Sequence, residues 1–333
     1  MDSKDHLPPN HTIDPEMRRT STISFQQQQT TLHPSIKPYA GRLGGVQDFV
    51  LDRSDPQNAA ILSRVPDAAP LMSVRETLSL QGFAQKDIWE AALCEALGTL
   101  LFVYLTAWIS AHPPPPPFPP PPATQAGIYA TASFLGPLIG GITTWILLTV
   151  FIYTFSPISG AHLNPLISIA TFCARLTTFP RMTLYVVSQT VGATLAGLML
   201  RASLASRNLE VGGCSIDTAL ISVGEAFAVE FMACLTLLFL AFGVGLDPRQ
   251  KQVFGPTLAP ALVGLAVGVM LFGTAIGRPG YGGAGMNPTR CFGVFVGTRW
   301  KGWHWVHWVG ALAASVVHSV FYILLPPWTY QKD

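Results

Sequence analysis

The chain has 333 residues, of which 49 % are hydrophobic and 11 % are charged. Soluble domains carry roughly 25 % charged residues, so this composition indicates a protein that lies mostly in lipid. The formal net charge of +2 is too small to indicate a nucleic-acid partner. The five cysteines include no Cys-x-x-Cys pair and no adjoining histidine cluster, so we expect no metal site and no cofactor.

The first 87 residues are a polar N-terminal segment. They are rich in Pro, Gln, Ser, Thr and Asp, and they include a run of glutamines at Gln26–Gln29. They contain no apolar run of the kind that forms a signal-peptide core. We therefore expect residues 1–87 to be a disordered cytoplasmic tail, with the first membrane insertion beginning near Ile88.

Six apolar segments follow, and each reaches the roughly 20 residues that a helix needs to cross a bilayer. They carry few charged residues, which predicts membrane-spanning helices. The predicted spans are Ile88–Ser110, Ser133–Ser156, Met182–Ala202, Val223–Gly245, Thr257–Gly277 and Trp303–Leu325. These bounds predict a channel domain over 88–326 and a short cytoplasmic C-terminus over 327–333.

Two further apolar stretches, 164–176 and 287–297, are too short to cross a bilayer. Each opens with an Asn-Pro pair, Asn164-Pro165 in the first and Asn287-Pro288 in the second. Proline is tolerated in the first helical turn because its missing N–H would have no intrahelical partner, and asparagine is a favoured N-cap. The two stretches therefore predict re-entrant half-helices.

The two halves of the chain repeat one pattern. The sequence Gly-Ala-His-Leu-Asn-Pro at 160–165 corresponds to Gly-Ala-Gly-Met-Asn-Pro at 283–288, and the first span of each half contains a glutamate, Glu95 or Glu230. Three spans and one half-helix, given twice, place the halves in opposite orientations across the membrane. We therefore predict an all-α membrane protein with an inverted 3+3 repeat, at about 88–202 and 223–325, whose working site lies at the midplane.

The two Asn-Pro pairs indicate the chemistry of that site. Half-helices that enter from opposite faces direct their N-termini at the midplane, and each N-terminus carries about half a positive charge. The side-chain amides of Asn164 and Asn287 can donate hydrogen bonds to a passing oxygen atom, whereas a cation meets positive potential and loses its hydration. These features favour passage of small uncharged solutes without covalent chemistry. The alternative is that both asparagines are only helix caps in a packed transporter.

Arg290 follows the second Asn-Pro pair by one helical turn. A charged side chain at the bilayer centre costs about 2.5–3.5 kcal/mol on insertion scales unless it lines water or is paired. That cost favours a role for Arg290 at the pore over a structural salt bridge alone.

The segments 159–165 and 285–290, which read Ser-Gly-Ala-His-Leu-Asn-Pro and Gly-Met-Asn-Pro-Thr-Arg, resemble the paired signatures of the major intrinsic protein (aquaporin and aquaglyceroporin) family. The resemblance covers about 88–326. It implies a channel with one pore per chain, assembled as a homotetramer, and not an enzyme. It also implies that Glu95 and Glu230 accept hydrogen bonds from the re-entrant loops, and that His162 pins its loop by a hydrogen bond rather than acting as a gate.

The resemblance further implies an outer constriction that includes Arg290. Counting from the motifs places Ala275 and Ala284 at two other walls, and the second-span wall at Thr144, or at Trp145 if the alignment slips by one residue. Two alanines beside the arginine suggest an opening wider than water requires. The expected solutes are therefore glycerol, urea, hydrogen peroxide or boric acid, with water also a candidate.

Several positions depart from the family pattern. Leu166 and Thr289 replace the alanine that usually follows each Asn-Pro, and these bulkier side chains predict a narrower or reshaped pore. Leu166, Cys291 in place of the aspartate of glycerol-conducting members, and a Gly-Gly-Cys sequence ending at Cys214 resemble the X intrinsic protein subgroup. Both cysteines fall on the expected outer side, an oxidising compartment, where they form either a redox-active disulfide or two independent thiols.

Lysine and arginine residues set the expected orientation. Lys86, Arg175 and Arg249 lie on the side that we assign to the cytoplasm, whereas the proline-rich first outer loop contains neither residue type. We expect both termini in the cytoplasm and the plasma membrane as the default location, with a vacuolar membrane as the alternative.

These patterns together predict a passive channel for small uncharged solutes that excludes ions and protons and lies in the lipid bilayer. Two other functions stay open at this point. One is a proton-coupled secondary transporter with Glu95 and Glu230 as proton carriers. The other is a non-conducting membrane scaffold, which the substitutions at Leu166 and Thr289 bring into consideration.

Overall fold

The computed structural model of the chain describes residues 36–44, 50–112, 134–248 and 251–325, and in these ranges the fold is mainly helical. The α-helices, in chain order, are α1 Ala59–Arg64, α2 Val74–Thr77, α3 Lys86–Ser110, α4 Leu135–Ser159, α5 Pro165–Cys173, α6 Phe179–Leu204, α7 Val223–Ala241, α8 Lys251–Gly277, α9 Pro288–Gly297 and α10 Trp305–Leu324. Short 3₁₀ turns at Pro56–Asn58, Pro66–Ala68 and Leu80–Ala84 precede α3. A π-helical turn, Phe242–Leu246, extends α7. One small ladder pairs β1, Ala111–His112, antiparallel with β2, Glu210–Val211.

Six of these helices are long and apolar enough to cross a membrane: α3, α4, α6, α7 with its π turn, α8 and α10. They confirm the six predicted spans, with ends displaced by a few residues. Large apolar side chains cover their outward faces. On α3, for example, Leu93, Leu97 and Leu101 recur every four residues and are exposed. Such a stripe is favourable against lipid and unfavourable in water, as expected for a membrane span.

The half-helices α5 and α9 have 9 and 10 residues. At 1.5 Å per residue, each covers about half of the roughly 30 Å hydrocarbon core. Each begins with the proline of an Asn-Pro pair, Pro165 or Pro288. The predicted re-entrant half-helices are therefore present, although α5 ends at Cys173 rather than near residue 176.

The helix packing shows the inverted repeat directly. Each half-helix packs against the third span of the other repeat: α5 lies on α10, and α9 lies on α6. Where α9 meets α6, Gly197 and Gly293 bring the backbones together, since a Cβ atom added to Gly197 would lie 1.8 Å from the Gly293 carbonyl oxygen. Where α5 meets α10, Ser315 and Ser319 donate hydrogen bonds to α5 carbonyls. The two repeats are thus interlocked rather than set side by side.

The described part of the N-terminal segment differs from the disorder expected for residues 1–87. Residues 50–87 form α1, α2 and the 3₁₀ turns, and Ser73 and Glu76 form a capping box at the start of α2. Asp67 is buried and makes an ion pair of 2.8 Å with Arg181 of α6. Apolar side chains are buried here as well, among them Leu62, Ala68 and Met72, but they are scattered among polar residues, so the composition of the segment suggested disorder. The Gln26–Gln29 run, the proline-rich loop and residues 327–333 lie outside the described residues.

Candidate pore and its constriction

The loop before the first half-helix is held by the buried carboxylate of Glu95. One carboxylate oxygen accepts hydrogen bonds from the Ser159 hydroxyl at 2.6 Å and the His162 backbone N–H at 3.0 Å. The other accepts from the Leu163 backbone N–H at 2.6 Å and the Gln189 side-chain amide at 2.8 Å. All these donors are therefore satisfied by one side chain, and the loop is fixed to α3.

Glu230 holds the second loop in the same way. Its oxygens accept from the backbone N–H groups of Gly285 at 3.0 Å and Met286 at 2.8 Å, and from the Tyr281 hydroxyl at 2.6 Å. The His307 imidazole lies 3.3 Å away. This glutamate and its counterpart on α3 are both fully buried, and neither lines the cavity beside Asn164 and Asn287 or the cavity beyond Arg290.

The two loops hold a strained backbone. Ala161, Leu163 and Met286 have φ angles of 53°, 50° and 47°, in the left-handed region that non-glycine residues seldom adopt. Such conformations cost about 1–3 kcal/mol each and persist only where surrounding contacts determine them. Glu95 and Glu230 supply those contacts for Leu163 and Met286, and the Ser159 hydroxyl accepts from the Ala161 backbone N–H at 3.1 Å.

Each asparagine of the Asn-Pro pairs caps its half-helix with its side-chain oxygen. Asn164 Oδ1 accepts from the Leu166 backbone N–H at 2.9 Å. Asn287 Oδ1 accepts from the Arg290 backbone N–H at 3.2 Å and from the Thr289 hydroxyl at 2.9 Å. Because the amide oxygens are occupied by the caps, the amide nitrogens are directed away from the half-helices.

The amide nitrogens cross between the repeats. Asn164 Nδ2 donates to the Met286 carbonyl at 2.7 Å, and Asn287 Nδ2 donates to the Leu163 carbonyl at 3.0 Å. A side-chain amide has two N–H groups, so each asparagine retains one donor beyond this bond. Both asparagines line the same cavity. The structure thus places two neutral donors where the half-helices meet.

The central cavity, which runs past both asparagines, has a volume of about 50 Å³. On this measure one water occupies roughly 10–15 Å³, so the cavity holds a short file of small molecules. Its polar wall contains Asn164, Asn287 and Arg290. Aliphatic and aromatic side chains form the remaining wall, among them Phe102, Leu148, Ile167, Val263 and Val267.

A wider cavity of about 470 Å³ continues beyond Arg290. Four residues line both cavities and therefore surround the passage between them: Thr106, Thr144, Leu271 and Arg290. We call this set the constriction. It combines one guanidinium, two hydroxyl groups and one aliphatic side chain.

The constriction includes two of the predicted wall residues and lacks three. Arg290 and Thr144 belong to it, whereas Trp145 turns towards α8 and donates its indole N–H to the Ala261 carbonyl at 2.9 Å. Ala275 lines only the wider cavity. Ala284 is fully buried and lines neither cavity.

Leu271 occupies the α8 wall, one helical turn before Ala275. The sequence analysis placed this wall at Ala275, four residues later in the chain. Residues four apart in a helix lie on the same face, so this spacing is the sequence signal that relates Leu271 to Ala275. Thr106 was also missed, because a threonine inside an apolar span carries no pattern that marks it as pore-lining.

Leu166 and Thr289 do not narrow the solute pathway, which consists of the central cavity, the constriction and the wider cavity and is called the lane below. Both are fully buried and line neither cavity. The Leu166 carbonyl accepts a hydrogen bond from Ser315 at 3.3 Å, and the Thr289 hydroxyl is bonded to Asn287. The expectation of a reshaped pore at these positions is therefore not met, because their side chains point into the protein.

The Arg290 guanidinium is held by neutral acceptors. Its Nη2 donates to the Gly212 carbonyl at 2.9 Å and the Ser110 hydroxyl at 3.0 Å, and its Nε donates to the Thr106 hydroxyl at 3.3 Å. No carboxylate of the described residues lies within ion-pair distance of it. The guanidinium charge is therefore not cancelled by a salt bridge, and it faces the passage.

A disulfide joins the segment between α6 and α7, which contains Gly212 and Cys214, to the start of α9. The Sγ atoms of Cys214 and Cys291 are bonded, and the Cα atoms are 5.2 Å apart. The Cys214 sulfur also lies 3.2 Å from Nη1 of Arg290. Because the same loop supplies the Gly212 carbonyl, the disulfide supports the acceptor that positions the guanidinium. Its redox behaviour stays a prediction.

His162 contributes to the opposite end of the central cavity. Its Nδ1 lies 3.0 Å from the Ser168 hydroxyl, and its Nε2 donates to the Gly41 carbonyl at 2.7 Å. These two bonds fix the ring between α5 and the N-terminal segment. The geometry agrees with the pinning role that the resemblance implies, and it adds a partner outside the spans.

Comparison with known proteins identifies the family. The profile of the major intrinsic protein family matches residues 82–322. The probable aquaporin PIP2-8 of Arabidopsis thaliana is 31 % identical over 78 % of this chain and 88 % of its own length. Aquaporin-B of Dictyostelium discoideum is 29 % identical over 66 % of this chain and 77 % of its own length. The aquaglyceroporin structure from Plasmodium falciparum superimposes with a TM-score of 0.48 at 19 % identity, over 73 % of this chain and 98 % of that one. The chain therefore belongs to the major intrinsic protein family, and it is a multi-pass membrane channel for water or small solutes, not an enzyme.

Proposed function

We propose that the channel conducts small uncharged solutes, such as glycerol, urea, hydrogen peroxide, boric acid and water, and that it excludes ions and protons. The constriction carries this proposal. Thr106, Thr144 and Arg290 offer hydroxyl and guanidinium groups on part of its wall, while Leu271 offers only carbon. A solute with hydroxyl groups on one side and carbon on the other satisfies both parts of such a wall.

Exclusion of cations and protons is supported by the groups that face the lane. A cation at the constriction meets the unpaired charge of Arg290 and loses hydration in a narrow, partly apolar passage. At the midplane, Asn164 and Asn287 each retain one N–H donor. A water oxygen that accepts from both has its lone pairs occupied, so it cannot take a proton from the next water in the file.

The proton-coupled transporter is less favoured by the geometry. Glu95 and Glu230 are fully buried, lie outside both cavities, and have their oxygens occupied by backbone and side-chain donors. A proton carrier has to meet the solute pathway, and these carboxylates support the loops instead.

We also propose that both termini lie in the cytoplasm, that the location is the plasma membrane, and that four copies assemble. Under this assignment the wider cavity and the disulfide face the outside, and the N-terminal segment lies inside. The exposed apolar helix faces would then contact lipid or neighbouring copies.

The test is solute flux in proteoliposomes that contain the purified full chain. Vesicles are mixed rapidly with hyperosmotic sucrose, glycerol or urea, and their volume is followed by light scattering. We expect fast shrinkage in sucrose and faster re-swelling in glycerol and urea than in protein-free vesicles. Shrinkage and re-swelling at the rate of protein-free vesicles for every solute, in the wild type and in every pore variant alike, would contradict conduction.

The Leu271→Ala variant tests the constriction. Removing three carbon atoms widens the passage and leaves Arg290, Thr106 and Thr144 in place, so we expect glycerol and urea permeability to rise several-fold relative to water. The matched control is Leu265→Ala, since Leu265 lies on the exposed face of the same helix. If the ratio of glycerol or urea permeability to water permeability is the same in Leu271→Ala and Leu265→Ala, the limiting passage lies elsewhere.

The disulfide is tested by reduction. It closes a loop with a sequence separation of 77 residues, and disulfides typically stabilise a fold by about 2–4 kcal/mol. We expect reductant to lower the midpoint of thermal unfolding of the wild type and to weaken cation rejection, because the loop that positions Arg290 is released. The Cys214→Ser/Cys291→Ser double variant should show the lowered midpoint without reductant and no further change with it. An unchanged midpoint and unchanged flux on reduction would remove the redox role.

A further inference from the structure

One residue that lines the central cavity lies outside every span. Leu43, from the N-terminal segment, lines the cavity together with Leu237, Ala241 and Val263. Only 2 % of its surface is exposed. The solute pathway therefore passes an aliphatic side chain that is carried by a short stretch of turns and bends, and not by a membrane helix.

Backbone hydrogen bonds hold this stretch across the mouth of the lane. The Leu43 N–H donates to the Gly160 carbonyl at 2.9 Å, and the Gly44 N–H donates to the Gly245 carbonyl at 3.1 Å. Ser156 donates its hydroxyl to the Leu43 carbonyl at 2.5 Å. Gly160 and Ser156 belong to the first repeat and Gly245 to the second, so the stretch bridges both repeats beside the passage.

Side chains on the stretch add further anchors. The Arg42 side chain is almost completely buried, with 1 % exposed, and its guanidinium donates to the Ser156 carbonyl. The Tyr39 hydroxyl lies 2.7 Å from the Thr177 hydroxyl, and the Arg181 guanidinium lies 4.2 Å from the centre of the Tyr39 ring. Burying a guanidinium is expensive unless it is paired or hydrogen-bonded, so the seating of Arg42 is a specific arrangement.

The glycines of the stretch allow it to enter the mouth. A Cβ atom at Gly41 would lie 2.6 Å from both the Tyr39 hydroxyl and the Thr177 hydroxyl. The Gly41 carbonyl is the acceptor for His162 at 2.7 Å. Gly44 has a φ angle of +90°, which side-chain-bearing residues seldom adopt.

From these contacts we propose that residues 39–44 form a plug that gates the channel. In the described state Leu43 narrows the lane, and withdrawal of the plug opens it. The plug is a short segment outside the spans, held by hydrogen bonds, by the buried Arg42 and by the packing of Ala40 and Leu43, so it can leave its seat without unfolding a span. This proposal rests on the proposed function, because it concerns regulation of the same lane.

The first test compares flux in proteoliposomes that contain the full chain. Leu43→Ala removes the narrowing side chain, and Arg42→Ala removes an anchor of the plug, so both variants should raise water and glycerol flux several-fold over wild type. Arg64→Ala is the matched control, because it removes an arginine from an exposed position on α1 and should leave flux unchanged. Wild-type flux in Leu43→Ala would overturn the plug.

The second test detects the plug directly. In the seated plug Arg42 is buried, so trypsin should not cut the wild type after this residue. Gly41→Val places a branched side chain against Tyr39 and Thr177, so cleavage after Arg42 and a rise in flux should appear together. Cleavage without a rise in flux would overturn the proposal. Failure of wild type and every variant to pass any solute would overturn the proposed function itself, whereas equal flux in a conducting wild type and all variants would overturn only the plug.

Discussion

Replacing Glu95 by alanine is expected to lower the midpoint of thermal unfolding by about 10 °C or more. The change leaves the backbone N–H groups of His162 and Leu163 and the Gln189 amide without their acceptor. Each buried donor without a partner costs about 1–3 kcal/mol, so the three together cost about 3–9 kcal/mol. For chains of 150–250 residues, each kcal/mol moves the midpoint by about 2–4 °C. Intrinsic fluorescence of the purified protein, followed at one fixed heating rate, measures the shift.

Glu90→Ala is the matched control for this experiment. Glu90 lies on the same helix as Glu95, but it is exposed and forms only an ion pair with Lys86 at 3.2 Å. A helical pair with this spacing is worth about 0.3–0.5 kcal/mol, so its loss should move the midpoint by little. Equal shifts in Glu90→Ala and Glu95→Ala would show that the buried carboxylate does not hold the first loop.

Replacing Arg290 by alanine is expected to give the largest change in selectivity. A unit charge at 4 Å contributes about 4 kcal/mol at an effective dielectric constant of 20. Because every 1.4 kcal/mol is tenfold, the permeability to a monovalent cation should rise by up to about a thousandfold. Glycerol and urea flux should also rise, since a long side chain leaves the constriction. Cation leak is measured as collapse of a potassium gradient across proteoliposomes.

One variant separates the effect of charge from that of side-chain size, and a second is the control. Arg290→Lys keeps the positive charge and should retain most of the cation rejection. Arg299→Ala removes an arginine that is exposed and lies outside the two cavities that meet at the constriction, so it should behave as wild type. Cation rejection that persists undiminished in Arg290→Ala would show that the half-helix termini at Asn164 and Asn287 are sufficient without the guanidinium.

Local patterns in the sequence are enough to predict the frame of this channel. The length of each apolar run determines which segments cross lipid, and the Asn-Pro pairs determine where α5 and α9 begin. These features depend on neighbouring residues only, because transfer into lipid and helix capping act over a few turns. The pairing of Glu95 and Glu230 with the loops was predictable from the family resemblance together with the high cost of a buried carboxylate without donors.

The lining of the lane was settled only by the tertiary structure. Whether Leu271 or Ala275 lies at the constriction depends on how α8 packs beside the pore, and whether Leu166 points inward depends on how α5 lies against α10. Residues four apart lie on the same face of a helix, so the local pattern does not choose between Leu271 and Ala275, and only the contacts with other helices do.

The positions of the N-terminal segment and of the disulfide also depend on the tertiary structure. The sequence by itself determines the six spans, the two half-helices and the donors at the midplane, because each of these is a property of a short stretch of chain. Only the tertiary structure decides that Leu43 enters the lane and that Cys214 meets Cys291, since these contacts join residues far apart in sequence. Such contacts depend on the whole packing of the two repeats, which no local pattern records.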